Sequence, residues 1–140
     1  MDTNGNTKEL LIKDLSSRLP YGVKIELTWW GMGEGAYTNT TLEPGHIEQL
    51  LKDEDGDIEI KPYLFPLSSM TDKNLVEFLQ IKGMNLNSDE LKTFRRGITV
   101  IASTLPSYSR HIDWLNKNHF DYRNLIDKNL AIDCTNLNIY

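Results

Sequence analysis

Cysteine is almost missing from this sequence. Cys134 is the only one, so no disulfide can close within the chain. That fits a reducing compartment and excludes a small scaffold stapled by bridges. Long hydrophobic runs are missing too, and no window approaches the roughly 18 apolar residues that a membrane-spanning helix needs. Residues 1–7 are polar and lack the basic start and apolar stretch of a signal peptide, so the expected location is cytoplasmic, without a membrane. Positive charge is scarce: 15 Lys and Arg face 20 Asp and Glu, a net charge of −5. Nucleic-acid affinity rests on cationic contacts that release counterions, so nucleic acid is not an expected partner. The only basic cluster is Lys92, Arg95 and Arg96. Internal repeats and low-complexity segments are absent as well.

What is present is an ordinary globular composition, 39% hydrophobic and 25% charged over 140 residues. That length suits one domain. The acidity is uneven. Residues 1–70 carry six Lys and Arg against twelve Asp and Glu, a net of −6, and the second half is close to neutral.

The pattern predicts a flexible tail over 1–6 and a single α+β domain over 7–140, with a sheet part at about 21–66 and a helical part at about 69–130. Thr7 opens a helix to about Leu19, in which Leu11, Ile12, Leu15 and Leu19 form an apolar stripe. Pro20 to Gly22 ends it. Val23 to Trp29 alternates apolar with polar, the period of a half-buried strand, and Ala36 to Leu42 reads as its antiparallel partner across Gly31 to Gly35. His46 to Lys52 fits either a strand or a short helix. Asp53 to Asp57 has the Asp-Gly chemistry of a hairpin, with Ile58 and Ile60 alternating after it. Lys61 to Pro66 reads as an extended or 3₁₀ connector leaving a small antiparallel sheet of three or four strands, which an SH3-like closure would also accommodate.

Three or four helices are then expected. Ser69 or Thr71 opens one carrying Leu75, Phe78 and Leu79. Ser88 opens the longest, with a stripe of Leu91, Phe94, Ile98, Ile101 and Leu105. Ser107 or Ser109 opens one carrying Ile112 and Leu115, and a last short one covers Tyr122 to Lys128. Strands first and helices afterwards indicate α+β rather than a doubly wound sheet.

Two stretches carry a resemblance. Ile58 to Thr71, and Ile112 to Ile126 with Leu130 to Asp133, look like a family of small uncharacterised proteins encoded by phages, prophages and conjugative elements of gut Bacteroidetes. The match is poor over Trp29 to Lys52. The resemblance implies a mobile-element setting and a cytoplasmic location, and it supplies no catalytic residue.

Several groups of residues invite a chemical reading, each beside a plainer one. His111, Asp113, His119 and Asp121 are the ligand types of a divalent metal or hydrolytic site. On an unbroken helix the two histidines would stand about 12 Å apart along the axis, too far to share an ion unless Asn118 ends the helix and the chain turns. The plainer account has Asp121 capping the next helix, Asp113 solvated and the histidines on partly exposed faces. Asp53, Asp55, Asp57 and Glu59 suggest a calcium loop, but Ile58 and Leu64 occupy the places of its glycine and glutamate, so a solvated turn fits better. Gly31 to Gly35 lacks the lysine and following helix of a phosphate loop. Cys134 has no histidine partner in sequence.

Trp29, Trp30, Met32, Tyr37, Tyr63 and Phe65 could gather near one end of the sheet as an aromatic interaction patch. Otherwise one tryptophan belongs to the core. The expected function is thus a non-enzymatic protein-binding module, without a cofactor, in which a homo-oligomer would also be compatible. The alternatives are a nucleotide or small-molecule binder using Gly31 to Gly35 and Arg95, Arg96 or Arg110, and a metal-dependent hydrolase.

Overall fold

The apolar stripe of the first helix and the alternation of the first strand meet in one core. The structure, a computed structural model, describes residues 4–29, 36–54, 56–74, 77 and 109–140. Helix α1 spans Asn4–Arg18, beginning three residues before Thr7. A 3₁₀ turn at Leu19–Tyr21 and the left-handed Gly22 (φ 69°) stop it, a conformation that costs glycine least. Strand β1 (Lys24–Trp29) pairs antiparallel with β2 (Ala36–Thr41), Trp29 opposite Ala36. The turn joining them lies outside the described residues.

Helix α2 spans Pro44–Lys52, so the ambiguous segment is helical. Pro44 sits in the first turn, where its missing N–H costs nothing. The Glu43 N–H donates to His46 Nδ1 (2.9 Å), while the Glu43 side chain accepts from the His46 backbone. Asp53 to Asp57 therefore joins a helix to a strand and is not a hairpin.

Strand β3 runs Ile58–Pro66 and takes in the expected connector. It pairs antiparallel with β1, Leu27 opposite Ile60 and Ile25 opposite Pro62. Its second half also takes two short parallel partners, β4 (Phe120–Asp121) and β5 (Ile132–Asp133). The five-stranded sheet has the order β2-β1-β3-β4, with β5 also on β3. It is mixed rather than antiparallel throughout, which departs from the SH3-like option. Parallel partners need long connections, and here about 50 residues separate β3 from β4.

Leu11, Leu15, Ile25, Leu27, Leu50, Ile60 and Leu64 bury together, joined by Leu125 and Ala131 from the C-terminal segment. Of the expected helical cluster, α3 (Ser109–Lys117) is present and ends just before Asn118. Thr71 Oγ1 accepts from the Asn74 N–H (3.1 Å), the cap expected at a helix start. Residues 72–74 and 77 are helical, whereas Leu75, Phe78 and Leu79, and the helix expected on Ser88 to Leu105, lie outside the described residues.

Tyr122 to Lys128 is not a helix but a series of turns. Asn124 and Asn129 adopt φ 64° and 59°, which a helix cannot contain. Asp121 meanwhile takes the N–H groups of Arg123, Leu125 and Ile126 on its carboxylate, at 3.2, 3.0 and 2.9 Å. A short polar side chain here competes with the helical ladder and wins.

One residue splices two strands where they part. The register continues one step past Ile25–Pro62 to place Lys24 opposite Tyr63. Between them the Tyr140 hydroxyl accepts from Lys24 N and donates to Tyr63 O, both at 2.8 Å. Tyr140→Phe should lower stability by about 1–2 kcal/mol, read as a lower urea midpoint with an unchanged m-value.

Candidate functional site

Backbone direction decides where β3 is open. Just ahead of β1, Val23 O accepts from Leu42 N, on the β2 side. Backbone groups alternate along a strand, so Lys24, Glu26 and Thr28 turn theirs towards β3, opposite Tyr63, Lys61 and Glu59. Ile58, Ile60, Pro62 and Leu64 then turn theirs to the other edge. Two contacts there agree: Ile58 N donates to Asp53 Oδ2 (3.1 Å), and Leu64 O accepts from Cys134 N (3.0 Å). Between Ile58 and the β5 pairing at Tyr63 and Leu64, no strand among the described residues pairs with that edge.

A cleft of about 560 Å³ runs beside it, walled by α1, the end of α2, the Asp53–Glu59 segment and Asn129–Leu130. Leu11, Leu50 and Ile60 form its buried floor. The rim cations are held internally. Lys8 Nζ donates to Asp53 O (2.6 Å), and Lys61 Nζ lies 3.3 Å from both Glu59 Oε1 and Asn129 Oδ1. The Asp53 carboxylate is occupied by the N–H groups of Asp57 and Ile58. Glu54 is exposed without a partner among the described residues, and the Glu59 side chain keeps 43% of its exposure. Beside the cleft, Leu51 is 59% exposed. The arrangement offers an apolar floor, an open strand edge and net negative charge.

A second polar cluster is buried and spends its groups on the fold. Asp14 and Arg18, one turn apart on α1, are both fully buried, with Arg18 Nε 2.8 Å from Asp14 Oδ2. Arg123 Nη1 reaches Asp14 Oδ1 (2.7 Å), and Arg18 Nη2 donates to Phe120 O (2.7 Å). The Tyr122 ring lies 5.2 Å from the Arg18 guanidinium carbon and 4.7 Å from that of Arg123. Sequence reasoning missed this cluster. A signal existed on α1, where Asp14 and Arg18 fall three residues after Leu11 and Leu15, within the apolar face. Nothing local pointed to Arg123.

Of the expected aromatic patch, the described members Trp29, Tyr63 and Phe65 do not come together. Trp29 sits on the core face at the Ile58 end of β3 and packs against the core cluster. Tyr63 is buried, its hydroxyl donating to Asn39 Oδ1 (2.6 Å) with Glu26 Oε2 3.4 Å away. Phe65 lies seven residues beyond Ile58, about 23 Å along the strand, and joins the Phe120 and Tyr140 rings, each 5.9 Å away. Trp30, Met32, Lys92, Arg95, Arg96 and the Gly31–Gly35 turn lie outside the described residues, as do the side chains of Tyr37, Arg110 and His111.

No group of His, Cys, Asp and Glu able to hold a metal ion occurs among the described residues. Asp113 is exposed, and Asp121 is committed to its three backbone donors. His119 stacks on Tyr140 (centroids 3.8 Å apart), in the left-handed region at φ 64°. Cys134 is buried, and burial with the Asp133 carboxylate pushes its thiol up to about 11, so it stays protonated at neutral pH. No protein-family model, curated protein or solved structure matches this chain.

Burial, reinforced by the Arg18 charge, lowers His119 to about 4, from an ordinary value near 6.5. Its Nδ1 is buried without a partner. The unfolded chain takes up this proton as pH falls through about 6.5, while the folded chain resists until about 4, so stability falls with pH across that window. With the ring partly open to solvent, the loss should be about 1–2 kcal/mol by pH 4. His119→Asn, which tolerates the left-handed backbone, should flatten that part of the profile in urea titrations between pH 7 and 4.

Proposed function

We propose that this protein is a non-enzymatic protein-binding module that engages its partner through the cleft beside β3. The carrying observation is the cleft itself, with a floor of Leu11, Leu50 and Ile60 beneath an acidic rim. Concave sites with apolar floors and a few convergent polar groups are where partners dock. The lining sets Asp53, Glu54 and Glu59 against Lys8 and Lys61, three carboxylates to two cations, so the rim is net negative. A partner presenting positive charge gains steering from it and from the acidity of residues 1–70. The resemblance of Ile58–Thr71 and Ile112–Ile126 supports a setting in which the module is a cytoplasmic accessory or host-interfering factor of a phage or other mobile element.

Charge reversal tests the site without touching the core. Glu54→Lys/Glu59→Lys, with circular dichroism as a check on folding, should lose by about tenfold or more a partner that the wild-type protein retains from host lysate. Capture profiles that stay identical would remove the cleft from the proposal.

A further inference from the structure

The cleft differs from a plain apolar groove because one wall is the backbone edge of a strand. Along that edge β5 already pairs in parallel with Tyr63 and Leu64, through Leu64 O and Cys134 N. Pairing then stops. The Tyr63–Ile132 pair also takes up the C=O of Pro62, so the next backbone groups in the same row are the N–H and C=O of Ile60 and the C=O of Ile58, to which no described residue supplies a partner. Ile60 is only 1% exposed, so its polar groups lie in a narrow, largely dry place. Backbone groups left unpaired in such a place are costly, and a partner reaching them from the cleft removes that cost. Pro62 marks where the pairing stops: its C=O is the last group in the row that β5 serves, and proline has no N–H to pair beyond it.

Resting on the cleft reading given above, we propose that the occupant is an extended peptide segment of a partner protein, alternating apolar and basic residues, added to the outer edge of β3 as a short strand. The two faces of the sheet set the alternation. Leu27, Ile58 and Ile60 share the core face with Leu11 and Leu50, so every second side chain of the added strand meets an apolar surface. Glu59 lies on the opposite face, where the intervening side chains meet carboxylate. The vacant stretch from Ile58 to Lys61 accommodates about four residues, roughly 13 Å of strand. Main-chain hydrogen bonds then supply affinity and the alternate pockets supply choice of sequence, as in other strand-addition sites.

The probe is a labelled heptapeptide of alternating lysine and valine, titrated onto the full chain by fluorescence anisotropy. Comparators are the same composition in block order, and two versions N-methylated at alternate residues, one set on the central residue and its second neighbours, the other on the residues between. An N-methyl group removes a ladder donor only where that N–H faces β3. The expected result is binding by the alternating peptide, a tenfold or greater loss for one N-methylated set, little change for the other, and slowed exchange of the Ile60 amide. Equal sensitivity of both sets, equal binding of the block peptide, or no binding at all would overturn strand addition. If partner capture still depends on Glu54 and Glu59 in that case, the cleft remains a docking site used in another way. If capture is also indifferent to them, both proposals fall.

Discussion

Strand β3 has nine residues and two edges, and the fold is arranged around how those edges are shared. Its first half gives one edge to β1 and leaves the other facing the cleft. Its second half takes two short strands that arrive in parallel from far along the chain. Leu64 O and Phe65 N belong to one peptide unit and point in opposite directions. The first serves Cys134 and the second accepts nothing but donates to His119 O at 2.8 Å, so the two late strands flank β3 on opposite sides. Where β1 leaves, the Tyr140 hydroxyl fills the break. Where β5 ends, nothing described fills it. The same alternation that satisfies one edge exposes the other.

What holds the late strands in place is largely the buried charge on α1. Arg18 grips the Phe120 carbonyl, Asp14 grips Arg123, and Asp121 between them organises the following turn. Two fully buried ions repay their desolvation only when each finds good partners, and removing one member of such a pair costs about 3–5 kcal/mol. Hydrophobic residues of similar size would serve stability as well, but would not dictate which backbone carbonyl lies against the helix. The network therefore acts on placement: it brings residues 120–133 against α1 and β3, so that Asn129 and Leu130 close one end of the cleft.

The elements legible in the sequence were those written in local periodicity. The α1 stripe, the alternation of Val23–Trp29, its hairpin partner and the helix carrying Ile112 and Leu115 all rest on spacings within a dozen residues, and each appears within a few residues of its expected bounds. Lys61–Pro66 was read as a connector because its prolines argue against helix without excluding a strand, and beyond Pro62 its partners are the distant residues 120–121 and 132–133. Tyr122–Lys128 has helical composition, yet left-handed Asn124 and Asn129 and the Asp121 carboxylate decide it otherwise. For the candidate site, Leu11 and Ile60 were visible as core residues. That they floor a cleft depends on backbone direction along β3, which side-chain pattern does not encode. The separation of Trp29 from Phe65 was hidden for a related reason: register, not composition, sets it.

Acidity and the open edge belong together energetically. A few ladder hydrogen bonds, each worth about 1 kcal/mol net, do not offset the several kcal/mol of freedom lost when two molecules associate. Apolar side chains on the floor add about 2 kcal/mol each, which leaves a short strand-addition site weak and unselective on its own. Charge on the far face changes this through the rate of encounter and through discrimination, since an acidic segment is repelled by Glu54 and Glu59 while a basic one is drawn in. It also guards the edge. An open, uncharged strand edge invites any other edge, including that of a second copy, and carboxylates beside it disfavour such self-pairing. On the proposed reading, the rim that would favour a basic partner is the same feature that disfavours pairing between two acidic copies.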